Sequence, residues 1–278
     1  MKYMHRDWNE VWKKAMEQYL MSLGRSQEGY WDATRAERFN RESQHNDWAK
    51  GRTIIREMSV LPTDNVLDIG AGPGSVAIPL APYVAHITAV EPNIHMCALL
   101  EQNIRAYNVQ SFSIVRKLWD DVVPGVDLSP PYDVVLASFS LGMLDLRAAL
   151  RKMTDVSSRE VYVFWFSGTG GSDRDRQFVQ EQILGRPYHP APTADIVYNV
   201  LCDMEIFPDV VSRRLSKERI FPSMREAEDY FLDRYGLDRG SHGDAVRRYL
   251  DTRLVSHDGL LALRESHVRT MLTWKGGA

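Results

Sequence analysis

Val66-Leu67-Asp68-Ile69-Gly70-Ala71-Gly72-Pro73-Gly74 leaves the chain few options. An apolar run that carries an acid and then meets three glycines in five residues predicts a strand ending in a sharp turn. Glycine accepts the backbone conformations such a turn needs, and it lets backbone N–H groups approach a ligand closely. The neighbours narrow the ligand. A dinucleotide-binding turn has its third glycine three places after the second, whereas Ser75 stands there in this chain. A carboxylate at Asp68 would repel a pyrophosphate and suits a cationic ligand instead. No Gly-Lys-Ser or Gly-Lys-Thr follows, so a P-loop is excluded.

From Asn65 onward, short apolar runs alternate with longer amphipathic stretches, the pattern of βαβ units around a parallel sheet. Strands are predicted over 66–69, 87–90, 112–115, 134–137 and 161–166, with late strands over 210–215 and 268–274. Helices are predicted over 76–81, 94–107, 146–153, 174–184, 194–205, 224–235 and 245–254. The first sixty residues read as a helical arm, 1–60, ahead of a main domain, 61–278. Trp8, Trp12, Ala15, Met16 and Tyr19 recur at helical spacing, as a stripe that packs on the body or on a second subunit. A break follows at 24–29.

Glu91 ends the second strand, 17 residues after Gly74. An acid there can accept from both hydroxyls of a ribose. Its structural alternative is a part in starting the next helix, although Asn93 alone suffices as the cap. With 34 Lys and Arg against 37 Asp and Glu, the formal charge is −3, which argues against a dedicated nucleic-acid binder. Cys97 and Cys202 form no metal-ligand spacing and no disulfide framework, so no metal is expected. There is no apolar leader and no run of about 20 apolar residues, which points to a cytoplasmic protein without a membrane span.

These segments resemble, in order, the motifs of the class I S-adenosylmethionine-dependent methyltransferases. The likeness runs over about residues 60–215: Asp68 to Gly74, Glu91, then 112–121 and 133–141. The resemblance implies a Rossmann-like α/β fold, a seven-stranded, mostly parallel sheet with an antiparallel last strand. It also implies methyl transfer from the sulfonium of S-adenosylmethionine. It places Asp68 near the methionine amino group, Gly70, Ala71, Gly72 and Gly74 at its backbone contacts, and Glu91 with Pro92 at the ribose. Asp120 or Asp121 would accept from the adenine amino group, with Trp119 or Leu118 as the apolar platform. Ser138 and Phe139 open the fourth motif.

That fourth motif, Ser138-Phe139-Ser140-Leu141, lacks the acid- or Asn-Pro-Pro-aromatic sequence of enzymes that methylate base or glutamine amines. Ser129-Pro130-Pro131-Tyr132 precedes its strand, at the wrong end of the sheet, and reads as a turn. A Pro-Cys nucleophile is missing too. A small-molecule acceptor is therefore expected, over nucleic acid. Trp31, with Tyr30 and Phe39, resembles an aromatic arm closing over the cofactor, with core packing as the alternative. His45 and His189 are the histidines considered as bases, each with a plain surface role as the competing reading. The segment 217–266 exceeds the usual connection length and is expected to be a helical wall on the substrate side, or else a homodimer contact.

Overall fold

The computed structural model describes residues 6–23 and 31–277. The expected break at 24–29 and Tyr30 lie outside the described residues. The chain forms two compact units. The first takes in the chain up to Trp165, Pro192–Val211 and the chain from Thr270; the second takes in Phe166–Ala191 and Ser212–Arg269.

The sheet of the first unit is built on β1 (Asn65–Ile69), flanked by β2 (His86–Val90) and β4 (Tyr132–Ser138), both parallel to it. Parallel pairing brings the carboxyl ends of all three strands to one end, since Ile69 lies opposite both Val90 and Ala137. The Asp68 region, Glu91 and Ser138 therefore share that end, where open α/β sheets bind ligands. With β3 (Phe112–Val115), β5 (Ser157–Ser167), β6 (Asp209–Phe221) and β8 (Leu260–Lys275), the order is β3-β2-β1-β4-β5-β8-β6. The sheet is mostly parallel with antiparallel strands at the C-terminal end, as the resemblance implied, and β7 (Leu254–His257), in the second unit, pairs with β8 as an eighth strand.

Alternation along the central strands divides the core. Leu67, Ile69, Val135 and Ala137 face one cluster, which α6 (Leu146–Asp155) and α8 (Ala194–Asp203) fill with Leu146, Leu150, Val197 and Leu201. Val66, Val134 and Leu136 face the other, with Ile54 from α3 (Ala49–Ile55) and Leu80 from α4 (Ala77–Leu80). The tryptophan stripe of α1 (Trp8–Leu23) is part of the first cluster. Trp12 is fully buried, its indole N–H donates to the Met143 carbonyl at 2.8 Å, and its ring lies 5.8 Å from that of Trp165. Truncating such a residue typically costs about 3–5 kcal/mol, so α1 is a core element.

α2 (Ala33–His45) starts where Asp32 accepts from the Arg35 N–H, and α5 (Ile94–Ala106) where Asn93 accepts from His95 and Met96. Each side chain satisfies backbone donors that a helix start leaves open.

In the second unit, α9 (Met224–Tyr235) and α10 (Arg239–Arg253) pack around Phe231, Val246 and Leu250. The helix predicted from 174 divides into α7 (Gly171–Gln177) and a π-helical turn, Phe178–Ile183, whose Phe178 ring stacks 4.0 Å from Tyr249. α10 begins at Arg239, earlier than the pattern suggested, because Asp238 caps it through the Ser241 N–H. Gly240 and Gly243 had hidden that first turn. β7 and β8 form an antiparallel hairpin, with Leu254 opposite Leu263 and His257 opposite Leu260. Among the described residues, no helix is long and apolar enough to cross a membrane.

Candidate functional site

The turn after β1 uses its three glycines in three ways. All have positive φ: +70° at Gly70, +57° at Gly72 and +89° at Gly74. A Cβ at Gly70 would lie 2.3 Å from the Ser140 Cβ, and one at Gly74 would meet Ile78 and Leu100 at 2.6 and 2.8 Å. Those two positions are closed by packing. At Gly72 a Cβ would approach nothing nearer than the Met96 sulfur at 4.0 Å, so the space beside it is free for a ligand. The Ser140 hydroxyl donates to the Ile69 carbonyl at 2.5 Å and ties the fourth motif to the end of β1.

Asp68 is 2% exposed, and its Oδ2 has no hydrogen-bond partner among the described residues. Burial, and secondarily the charge of Glu91, pushes its carboxyl up to about 7. Glu91 is 6% exposed and also raised by burial, against the backbone N–H bonds it accepts. Its Oε2 takes the Gly72 N–H at 2.8 Å and its Oε1 the Asn93 N–H at 2.8 Å. One carboxylate thus spans the glycine turn and the start of α5. Two buried acids, one with an orphaned oxygen, form a place for a cation, because a buried charge without a partner is costly.

The other expected site residues are distributed unevenly. Ala71 is buried within the turn, and Pro92 is exposed beside Glu91. Ser138 and Phe139 are half-buried at the end of β4. Phe139 has φ +56°, a conformation costly for a side chain with a Cβ and one that clusters at functional sites. The Trp31 carbonyl accepts from the Asn93 side chain at 2.9 Å, and its ring lies 5.3 Å from Phe39. The arm therefore begins against the residue that also binds Glu91.

Trp119 differs from the expectation. It is 3% exposed, its indole N–H donates to the Ala149 carbonyl at 3.2 Å, and it belongs to the core cluster. Leu118, half-buried, is the apolar neighbour of Asp120 that keeps access to solvent. Asp120 is exposed as a residue, yet partial desolvation of its carboxyl outweighs the pull of Lys152 and raises it. Lys152 donates to the carbonyls of Trp119, Asp120 and Val122 at 2.7, 3.1 and 2.8 Å, fixing this short 3₁₀ turn from α6. His45 is exposed at the end of α2, and His189 lies half-buried in the second unit, next to Tyr188, whose hydroxyl donates to Asp173 at 2.7 Å. The Cys97 thiol is raised to about 11, first by burial, and donates to the Glu91 carbonyl at 3.2 Å, which suits a packing role.

Sequence reasoning missed the polar residues behind the turn. Asn103 of α5 is fully buried and donates to the Pro73 carbonyl at 2.7 Å and to Asn40 Oδ1 at 2.8 Å, while accepting from Gln44 at 2.8 Å. The one available signal was a pair of amides, Asn40 and Gln44, spaced by one helical turn.

Residues 66–159 match the sequence family described as Methyltransferase domain. That stretch is about a third of the chain. An uncharacterized protein of Haemophilus influenzae is 30% identical over 115 residues, 41% of this chain and 42% of that protein. A mitochondrial ribosomal RNA small subunit methyltransferase of Arabidopsis thaliana is 25% identical over 224 residues, 70% of this chain and 57% of that one. The chain spans about half the length of these curated relatives. Among solved structures, a Bacillus halodurans protein superposes with a TM-score of 0.57 at 13% identity, over 84% of this chain and all of that one. YcgJ of Bacillus subtilis gives 0.56 at 13%, over 82% and 98%. At such identities the likeness is one of fold. At the carboxyl end of the central strand the chain brings together a buried carboxylate with an orphaned oxygen, open space beside Gly72 and a second buried carboxylate at Glu91.

Proposed function

We propose that this protein transfers the methyl group of S-adenosylmethionine to a small organic acceptor. The observation that carries the cofactor is the buried, unpartnered Asp68 oxygen at the carboxyl end of the central strand, beside a Glu91 already fixed by two backbone N–H groups. When bound, this cofactor supplies a methyl group on a positively charged sulfur, already an activated leaving group. The chain's own residues then mainly position and shield. Asp68 holds the ammonium, Glu91 accepts from ribose hydroxyls, and Asp120, with Leu118 beside it, receives the adenine. In-line displacement needs the acceptor atom held at roughly 3–3.5 Å, and much of the acceleration comes from that alignment and from exclusion of water. A general base is required only for a protonated acceptor, and neither His45 nor His189 is given that role.

The small-molecule reading rests on the fourth motif, which offers no acid- or Asn-Pro-Pro-aromatic sequence for a base amine. A second reading, an RNA acceptor, is favoured by the Arabidopsis relative named above. A reducing, cytoplasmic setting belongs to the first reading and is supported by two cysteines that form no disulfide. Titration calorimetry with S-adenosylmethionine, its demethylated product and NAD tests the cofactor: binding of the first two and not the third is expected, and NAD binding alone refutes it. Radiolabelled methyl transfer to a small-metabolite fraction, compared with ribosomal RNA, tests the acceptor. Label in RNA alone overturns the small-molecule reading.

A further inference from the structure

Behind the cofactor turn, a chain of amides joins three elements that sequence order keeps far apart. Asn103 of α5 has both amide hydrogens in use, one on the carbonyl of Pro73, inside the glycine turn, and one on Asn40 of α2. Its oxygen accepts from Gln44, also of α2. The orientation of the amide is fixed chemically, because the Pro73 carbonyl can only accept. Asn103 is fully buried and Asn40 nearly so, so its bonds to Pro73 and Asn40 are made away from water and each of those partners left alone would carry a desolvation penalty, while the bond from Gln44 is part-buried. Two further contacts follow the same line. The Ser43 and Ser75 hydroxyls lie 3.4 Å apart, and Gly51 of α3 is so close to the turn that a Cβ there would stand 2.0 Å from the Ser75 carbonyl oxygen. On the other side of the site, Asn93 binds the Trp31 carbonyl with its side chain and Glu91 with its backbone N–H.

We propose that Asn103 is a positioning residue that fixes the glycine turn through Pro73, and that the Asn40–Gln44–Asn103 relay makes the N-terminal arm part of the cofactor site. The proposal rests on the cofactor reading above for its ligand, though not for its geometry. Pro73 lies between Gly72, whose N–H meets Glu91, and Gly74, so the relay sets the position of the backbone that lines the ligand space. Arm and ligand are then coupled, and the coupling is reciprocal. A ligand that orders the turn also protects the arm, and an arm released from the turn weakens the ligand.

The test uses the full chain, with calorimetric binding of S-adenosylmethionine and its demethylated product, and hydrogen exchange of α2 and of residues 72–75. In the wild type, ligand is expected to slow exchange in α2. Asn103→Leu should weaken binding about tenfold or more and remove that ligand-dependent protection. Because this variant removes two buried bonds and one part-buried one and can fail to fold, the double variant Asn40→Ala, Gln44→Ala cuts the relay from the arm side and leaves the Asn103–Pro73 bond in place. It should speed exchange at 72–75 without ligand and weaken binding several-fold. A merely structural role would lower melting temperature yet leave ligand protection of α2 intact, and that result overturns the proposal. Unchanged exchange at 72–75 in the double variant overturns it as well. If the wild type binds neither compound, the cofactor reading fails, and the ligand-free exchange at 72–75 still decides whether the arm holds the turn.

Discussion

Replacing Asp68 by Asn should make the ligand-free protein more stable and the cofactor bind less well. The carboxyl stands at about 7 rather than its ordinary 3.8, because it is buried with one oxygen unpartnered and Glu91 lies nearby. A displacement of that size corresponds to roughly 4 kcal/mol of disfavour for the ionised form. With a folded value above the unfolded one, the stability linked to the proton is fully present below pH 4 and is lost as pH rises through 7. At pH 8 the wild type therefore carries a penalty that Asn, nearly the same shape and never charged, relieves in part. An ammonium placed against the ionised carboxylate reverses the balance, through charge-assisted bonds worth roughly 1.5–3 kcal/mol each. Cofactor affinity of the wild type should accordingly rise with pH, by up to tenfold per unit from about pH 5 to 7, and level off above. In Asp68→Asn it should be about tenfold to a hundredfold weaker at pH 8 and nearly flat with pH. Calorimetric binding across pH 5–9, with thermal melts of both ligand-free proteins, measures all of this. A variant that binds as tightly as wild type, or that melts lower at pH 8 while keeping the pH slope, would refute the argument.

Glu91→Ala should lower cofactor affinity by one to several powers of ten, since it removes two ribose acceptors along with the tie between Gly72 and Asn93; calorimetry shows it, and unchanged affinity would assign Glu91 to structure alone. Lys152→Ala should free three carbonyls of the 119–122 turn and weaken cofactor binding several-fold with little loss of melting temperature, whereas equal binding would separate this turn from the adenine. In the second unit, the Tyr249 hydroxyl donates at 2.6 Å to Asp175, which is 1% exposed and raised by burial. Tyr249→Phe should cost about 1–3 kcal/mol in denaturant unfolding without altering cofactor affinity.

The local chemistry of this site could be read directly from the chain. Strand, acid and glycine turn are contiguous at 66–74, and Glu91 follows at a separation that one βαβ unit fixes, so their meeting at one end of the sheet needs no information from distant residues. The same holds for the apolar strands β1 to β5 and for α9, whose ends are announced by Ser223 and Gly236. Where signals were weaker, boundaries moved, the helix predicted from 174 divided in two, and the short strand β7 went unpredicted. β6 runs to Phe221 although Arg213, Arg214, Lys217, Glu218 and Arg219 interrupt any apolar alternation, because pairing within the sheet supports the strand where propensity does not. Which way a side chain turns was decided by tertiary structure alone. Trp119 faces the core because α6 offers it a carbonyl and an apolar bed, a choice that Leu118-Trp119-Asp120 does not contain. Asn103 looks in sequence like one polar residue of an amphipathic helix. It becomes the hub behind the glycine turn only when folding buries it between Pro73 and Asn40, where each group it meets must find a partner or bear the cost of leaving water.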